Sequence, residues 1–246
     1  MSRKQFGLVG RNISYSFSKN YFTERFQKEE AQEYTYENFD IQNIDEFPEI
    51  IKNNPDLIGL NVTIPYKEVV IPFLDELSER ASKMGAVNVI KITKEGLLKG
   101  DNSDYYGFKK SLEPLLQSHH KNALILGTGG ASKAVAFALE ELGISYTYVS
   151  RKTFENSIHY NQIDAKTFDD FQIVINTTPL GTSPNTHEFP EIPYPYFTSK
   201  HIAFDLIYNP SETQFLKKAK EYGAITKNGM DMLVFQAEKA WEIWNE

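Results

Sequence analysis

Apolar and polar positions along the chain alternate between two periods. Gln5–Val9 is a short apolar run closed by Gly10. From Ser18 to Gln32, Tyr21, Phe22 and Phe26 recur with charges between them, at a helical spacing. Tyr34–Asn38 alternates like a strand, and Ile44–Lys52 returns to the helical period. Leu57–Ile64 reads as a buried strand, Val69–Ser82 as a helix, and Ala86–Ile92 as a strand rich in β-branched residues. Gly96–Lys99 is expected to pair back on that strand as a hairpin, because Lys94-Glu95-Gly96 suits a turn. A helix is expected from about Asp104 to Gln117.

At Ala123 the pattern restarts. "ALILG" is a continuous apolar strand, "TGG" a tight turn, and Ala131–Leu142 a helix that ends at Gly143. "SYTYVS", "FQIVINT" and "HIAFDLIY" follow as strands, with a helix at Glu212–Tyr222. Strand–helix–strand order of this kind builds a parallel sheet with right-handed crossovers. Met230–Trp244 is amphipathic and reads as a helix that docks through its apolar stripe. The predicted class is therefore α/β, with a first α/β half of about 100 residues, a second half built on a parallel, Rossmann-like sheet, and a terminal docking helix.

The chain has 246 residues, enough for one large domain or two small ones. Its net charge is −7 with no long Lys/Arg run, which argues against a nucleic-acid partner. Cysteine is absent, and the five histidines fall in no metal-ligand spacing, so neither thiolate chemistry nor a metal is expected. No apolar run approaches a membrane span, and the N-terminus does not read as a signal peptide; a cytoplasmic location is expected. Monomer and homodimer are both compatible with the sequence.

"LILGTGGASKAV" places Gly127, Gly129 and Gly130 between a strand and a helix. Glycines there allow a sharp turn and close approach of a pyrophosphate, whose charge the helix N-terminus favours. Ser132 stands where the third fingerprint glycine would be. About 20 residues beyond the first glycine, an NAD site places an acid on the ribose. Ser150, Arg151 and Lys152 stand here instead, and two cations suit the 2′-phosphate of NADP. Asn176–Pro179 ends another strand at the edge where such sheets bind ligands. In the first half, "SYSFS" groups Ser14, Ser16 and Ser18, "NVTIPYK" holds Asn61, Thr63 and Lys67, "GAVNV" adds Asn88, and "GDNSD" adds Asp101, Asn102 and Asp104. Taken singly, none of these is diagnostic: Ser18 reads as a helix N-cap and the Asn-Asp-Ser run as a turn.

Taken together, in order, the runs "SYSFS … NVTIPYK … GAVNV … GDNSDYYG … LGTGGASKA … NTTPLG … DLIYNP … NGMDMLVFQA" resemble the shikimate dehydrogenase family over nearly the whole chain. The resemblance implies an α/β fold of two domains, a substrate domain of residues 1–103 with 229–246, to which the C-terminal helix returns, and a Rossmann-like NADP domain of residues 104–228. It implies NADP-dependent interconversion of shikimate and 3-dehydroshikimate in aromatic amino-acid (chorismate) biosynthesis. By motif, Ser16 and Ser18 would hold the substrate carboxylate, and Asn61, Thr63, Asn88 and Gln236 its hydroxyls. Lys67 and Asp104 would be the catalytic pair, with Tyr208 near substrate and cofactor. Gly127, Gly129, Gly130, Ala131, Ser150, Arg151, Lys152, Thr177, Leu206 and Gly229 would form the cofactor side. The chain departs from the family pattern at Asn12, Tyr15 and Lys19, where proline, histidine and proline are usual. Two alternatives stand beside this reading: a broad-specificity quinate/shikimate dehydrogenase, and a non-catalytic NADP-binding sensor on the same fold.

Overall fold

The computed structural model describes residues 4–14, 16–152 and 154–246. The chain forms two compact units, one of residues 1–103 with 237–246 and the other of residues 104–236.

In the first unit, β1 (Lys4–Gly10), α1 (Phe17–Lys28), β2 (Tyr34–Asp40), α2 (Phe47–Asn53) and β3 (Leu57–Val62) alternate. They are followed by β4 (Glu76–Leu77), α3 (Glu79–Met84), β5 (Val89–Ile92) and β6 (Leu98–Asp101). Among the described residues these strands form one sheet in the order β2-β1-β3-β5-β6-β4. β1 runs parallel to β2 and β3, while β5 is antiparallel to both β3 and β6. The expected hairpin is β5–β6, turning at Gly96 with φ +84°.

The segment read as one helix, 69–82, is broken. Pro72 sits in a single 3-10 turn at Ile71–Phe73, and Ser78 starts α3 afresh by accepting the Ala81 N–H at 3.1 Å. Between them, Asp75 and Ser78 donate their N–H groups to Leu98 and Gly100, so pairing with β6 overrides the helical period.

The second unit holds α4 (Asp104–Leu112), β7 (Asn122–Leu126), α5 (Gly130–Glu141), β8 (Ser145–Ser150) and β9 (Ser157–His159). It continues with α6 (Ala165–Asp170), β10 (Ile173–Asn176), β11 (Ile202–Asp205), α7 (Gln214–Glu221) and β12 (Ile225–Lys227). Its strands are all parallel, in the order β12-β11-β10-β7-β8-β9. β9, β12 and α6 are too short to leave a period in the sequence. The last helix, α8 (Met230–Asn245), starts in the second unit and ends in the first.

The central strands β1 and β3 are buried on both faces. In β3, Leu60 and Val62 join a core with Phe47, Tyr66 and Ile90. Gly59 and Asn61 point the other way. There the Trp244 indole covers Gly59 so closely that a Cβ would lie 2.6 Å from the ring. Trp244 belongs to a second core with Phe6, Phe22, Phe26 and Tyr36, and its Nε1 donates to the Ile90 carbonyl at 3.1 Å. No helix among the described residues is long and apolar enough to cross a membrane.

Candidate active site

The first unit collects its polar residues at the carboxyl ends of β1 and β3. Asn61 is the penultimate residue of β3, paired in register with Leu8. β3 stops at Val62 rather than at the expected Ile64, so Thr63 lies just past the strand end; its N–H still donates to Val9 at 2.9 Å. Lys67 is half-buried, and its position is set by its neighbour. Tyr66 is 2% exposed, and its hydroxyl donates to the Ile41 carbonyl at 2.7 Å. The Lys67 carbonyl accepts the Val87 N–H at 2.7 Å, which ties the lysine's backbone to the strand-entry segment carrying Asn88.

Asn88 is buried and clasped by Ser103. Its Nδ2 donates to Ser103 Oγ at 3.1 Å, and its Oδ1 accepts the Ser103 N–H at 2.6 Å. Asn61 Nδ2 donates to the Asn88 carbonyl at 3.3 Å. Asp101 and Asn102 serve the framework, as turn residues do: Asp101 accepts from Ser78, and Asn102 donates to Ala86.

Ser16 and Ser18 sit at the start of α1. Ser16 is its N-cap by backbone geometry, but the side chain makes no cap bond. The Ser16 Oγ is buried with no hydrogen-bond partner among the described residues. A buried hydroxyl in that state costs free energy unless something else accepts its proton. The loop before it differs in shape from a proline-built one. Asn12 has φ +57°, which proline cannot adopt, and the Asp40 carboxylate accepts the N–H groups of Asn12 and Ile13 at 2.9 and 3.2 Å. Lys19 pairs with Glu37 at 2.7 Å. Tyr15 lies outside the described residues.

Sequence reasoning missed Tyr36. Its hydroxyl donates to Asn61 Oδ1 at 2.8 Å and lies beside the Ser18 side chain, so it adjoins two of the predicted residues. The available signal was the alternation of β2, which buries a tyrosine whose hydroxyl then needs partners.

In the second unit, Gly127 has φ +104°, and a Cβ there would lie 2.9 Å from Thr177 Oγ1. A Cβ on Gly129 would meet nothing within 4 Å, so this side of the turn is open to a ligand. Gly129 caps α5 with no side-chain bond, so no side chain occupies the start of this helix, where an anion is favoured. Gly130 and Ala131 begin the helix, and Ser132 turns inward, donating to the Gly129 carbonyl at 2.6 Å. Ser150 ends β8; its Oγ accepts the Lys152 N–H at 3.2 Å, and Arg151 and Lys152 are exposed. These residues fit a phosphorylated dinucleotide: an open glycine turn, an uncapped helix and two exposed cations at the next strand end.

Thr177 is held by Leu126, whose carbonyl accepts from both its N–H and its hydroxyl. Asn176 donates to Asp205 at 3.1 Å, and Thr213 donates to the same carboxylate at 2.6 Å. Burial pushes the Asp205 carboxyl up to about 6. This buried triad also escaped the sequence reading. It fixes the turn that carries Leu206 and Tyr208, where Ile207 N–H donates to Asp205 at 3.1 Å. Tyr208 is half-buried, and burial raises its phenol. Gly229 lies against Leu206 so tightly that a Cβ would sit 2.0 Å from its carbonyl oxygen.

Asp104 is buried at the first turn of α4, where a carboxylate suits the helix dipole. Gly107, one turn on, lets the backbone of α4 meet α8; a Cβ would lie 2.4 Å from the Met232 carbonyl and 3.0 Å from Gln236. Gln236 is buried and falls, with Asp104 and Tyr208, in the second unit. Ser16, Ser18, Asn61, Thr63, Lys67 and Asn88 fall in the first.

One unit thus offers hydroxyls and amides suited to a small polar molecule, and the other a turn suited to a dinucleotide. Together they define a nucleotide-dependent α/β enzyme. The family model for the shikimate dehydrogenase substrate binding domain matches residues 8–90. The NADP(+) shikimate dehydrogenase of Methanosphaera stadtmanae is 38% identical over 97% of this chain and 90% of its own length. That of Methanococcus maripaludis is 39% identical over 98% and 91%. The crystal structure of shikimate 5-dehydrogenase from Thermus thermophilus in complex with NADP(H) and shikimate superposes with a TM-score of 0.86. It is 28% identical, over 98% of this chain and 93% of that one. The chain belongs to the shikimate dehydrogenase family.

Proposed function

We propose that the chain interconverts shikimate and 3-dehydroshikimate with NADP as cofactor, a step of aromatic amino-acid and chorismate biosynthesis, in the cytoplasm. The observation that carries the reading is the buried polar set Ser16, Ser18, Asn61 and Asn88, gathered in the unit that matches the family's substrate-binding model. A carboxylate answers the unpartnered Ser16 hydroxyl, and a polyol answers the amides. On this reading residues 1–103 and 229–246 bind substrate and residues 104–228 bind the cofactor. Ser16 and Ser18 take the carboxylate, while Asn61, Thr63, Asn88, Tyr208 and Gln236 take the ring hydroxyls.

Bound NADP supplies the hydride acceptor. The chain's own task is the proton. Lys67 Nζ in its neutral form takes the proton from the reacting hydroxyl, and the Asp104 carboxylate orients that amine and that hydroxyl. On the cofactor side, the turn Gly127, Gly129, Gly130 and Ala131 holds the pyrophosphate. Ser150, Arg151 and Lys152 hold the 2′-phosphate. Thr177, Leu206 and Gly229 line the remainder. The protein acts as a monomer or homodimer.

The test is cofactor reduction, followed by absorbance, with shikimate or quinate crossed with NADP or NAD. Turnover confined to shikimate with NADP is expected. Equal quinate or NAD turnover would move the protein to the broad-specificity branch. Silence in all four mixtures while NADP still binds would leave a sensor.

A further inference from the structure

Tyr36 lies in the middle of β2 and is 3% exposed. Its ring is held from two sides. Phe22 of α1 stacks on it at 4.9 Å with 11° between the planes, and the Trp244 indole lies 6.5 Å away. A tyrosine clamped this deeply has a hydroxyl in one place only, and that hydroxyl needs partners. Burial raises its phenol, so the proton stays on the oxygen. The O–H donates to Asn61 Oδ1 at 2.8 Å, with the Ser18 side chain beside the same hydroxyl.

The direction of the Tyr36–Asn61 bond has a chemical consequence. An amide side chain offers one acceptor oxygen and two N–H donors, and its shape alone does not decide which end meets a ligand. Tyr36 can donate only one proton, and it gives that proton to the Asn61 oxygen. The nitrogen end then faces Asn88, where one N–H donates to the backbone carbonyl at 3.3 Å. The amide is therefore pinned at both ends, with a second N–H left to offer. Turning it over would set its oxygen against the Asn88 carbonyl, a repulsive contact in a buried place, and would oblige the Tyr36 hydroxyl to accept from the amide and send its own proton elsewhere.

We infer that Tyr36 is a positioning residue for the reaction proposed above: it locks the Asn61 amide so that Asn61 presents an N–H, not a carbonyl, to an oxygen of the substrate. The inference rests on that reading of the function.

The first measurement is turnover of shikimate by the full wild-type chain with saturating NADP. Its absence would sink the functional reading before any variant is made. With turnover established, Tyr36→Phe keeps the ring and its stacking and deletes only the donor. KM for shikimate should rise roughly 5- to 30-fold, about 1–2 kcal/mol at about 1.4 kcal/mol per tenfold. KM for NADP should not move, and kcat should change much less than KM. The decisive step is the same change in an Asn61→Ala background, where no amide remains to be oriented; there it should add nothing to KM. A residue that only stabilises the fold would give additive losses. Additivity, or a Tyr36→Phe KM within twofold of wild type, would overturn the inference. Should Tyr36→Phe not fold, the wild-type protein answers instead. The Asn61 Nδ2 proton pair, assigned in ¹⁵N-labelled protein by its loss in Asn61→Ala, must shift when shikimate is added, and an unmoved pair overturns the inference equally.

Discussion

Replacing Asp205 by asparagine should make the protein less sensitive to pH and no less stable at pH 8. The carboxyl closes β11 and is 0% exposed. It accepts from Thr213 Oγ1, Asn176 Nδ2 and Ile207 N. Those three donors favour the ionised form, but burial outweighs them and lifts the pKa from 3.8 to about 6. A carboxyl raised on folding contributes stability that is whole below its unfolded value and is lost as pH climbs through its folded one. At about 1.4 kcal/mol per pKa unit the full difference is about 3 kcal/mol, of which about 1.4 kcal/mol is lost between pH 5 and pH 8. Asparagine avoids that loss. Its oxygen can accept from Asn176 and Ile207, and its nitrogen can donate to the Thr213 hydroxyl. The assay is urea unfolding of wild type and Asp205→Asn at pH 5 and pH 8. The stability of the variant minus that of wild type should rise by about 1.4 kcal/mol from the lower to the higher pH. His120, whose imidazole is held low by burial, titrates with the opposite sign, but it is common to both proteins and cancels. A variant that loses ground to wild type at pH 8 would refute the reasoning: the three donors, not burial, would then set the charge of this carboxyl.

Four further outcomes are expected. Lys67→Ala should lower kcat by roughly 10²–10⁴ with KM for shikimate nearly unchanged; a kcat within a few-fold of wild type would remove the lysine from proton transfer. Ser16→Ala should raise KM for shikimate roughly 10- to 150-fold, the worth of about 1.5–3 kcal/mol for a hydrogen bond to a charged group; an unaltered KM would place the carboxylate elsewhere. Arg151→Ala should raise KM for NADP by a similar factor and leave that for NAD alone, and equal effects on both would show that the guanidinium does not read the 2′-phosphate. Gly229→Ala forces a Cβ to within 2.0 Å of the Leu206 carbonyl oxygen and should cost at least the roughly 1–3 kcal/mol of overpacking. At about 2–4 °C per kcal/mol this is a visible drop in melting temperature, and an unchanged melt would mean that the Leu206 turn gives way freely.

The elements legible in the sequence were those whose own residues decide them. β8 was bounded at Ser145 and Ser150 because polar residues close both ends of its alternation, and α5 because glycines flank it. Segment 69–82 failed because its apolar spacing suited a helix while Pro72, Asp75 and Ser78 each had a stronger local or cross-strand bond to make. The same division runs through the site. Asn61 stood out because an amide in an apolar strand needs a reason, and Gly127 because a turn before a helix needs a positive φ. Tyr36 and Asp205 did not stand out, since each lies in a strand that hides its polar end. A period of two reports which face of β2 is buried. It cannot report that the Tyr36 oxygen meets the Asn61 oxygen from a strand two places away in the sheet. Nor can it report that Thr213, eight residues after Asp205, folds back to bond it. Those pairings are set by sheet order and by the turn after β11, which follow from the packing of the whole unit. The residues proposed to touch a ligand were therefore visible as local anomalies. Those that aim them were not, because their polarity is fully satisfied once the chain is folded.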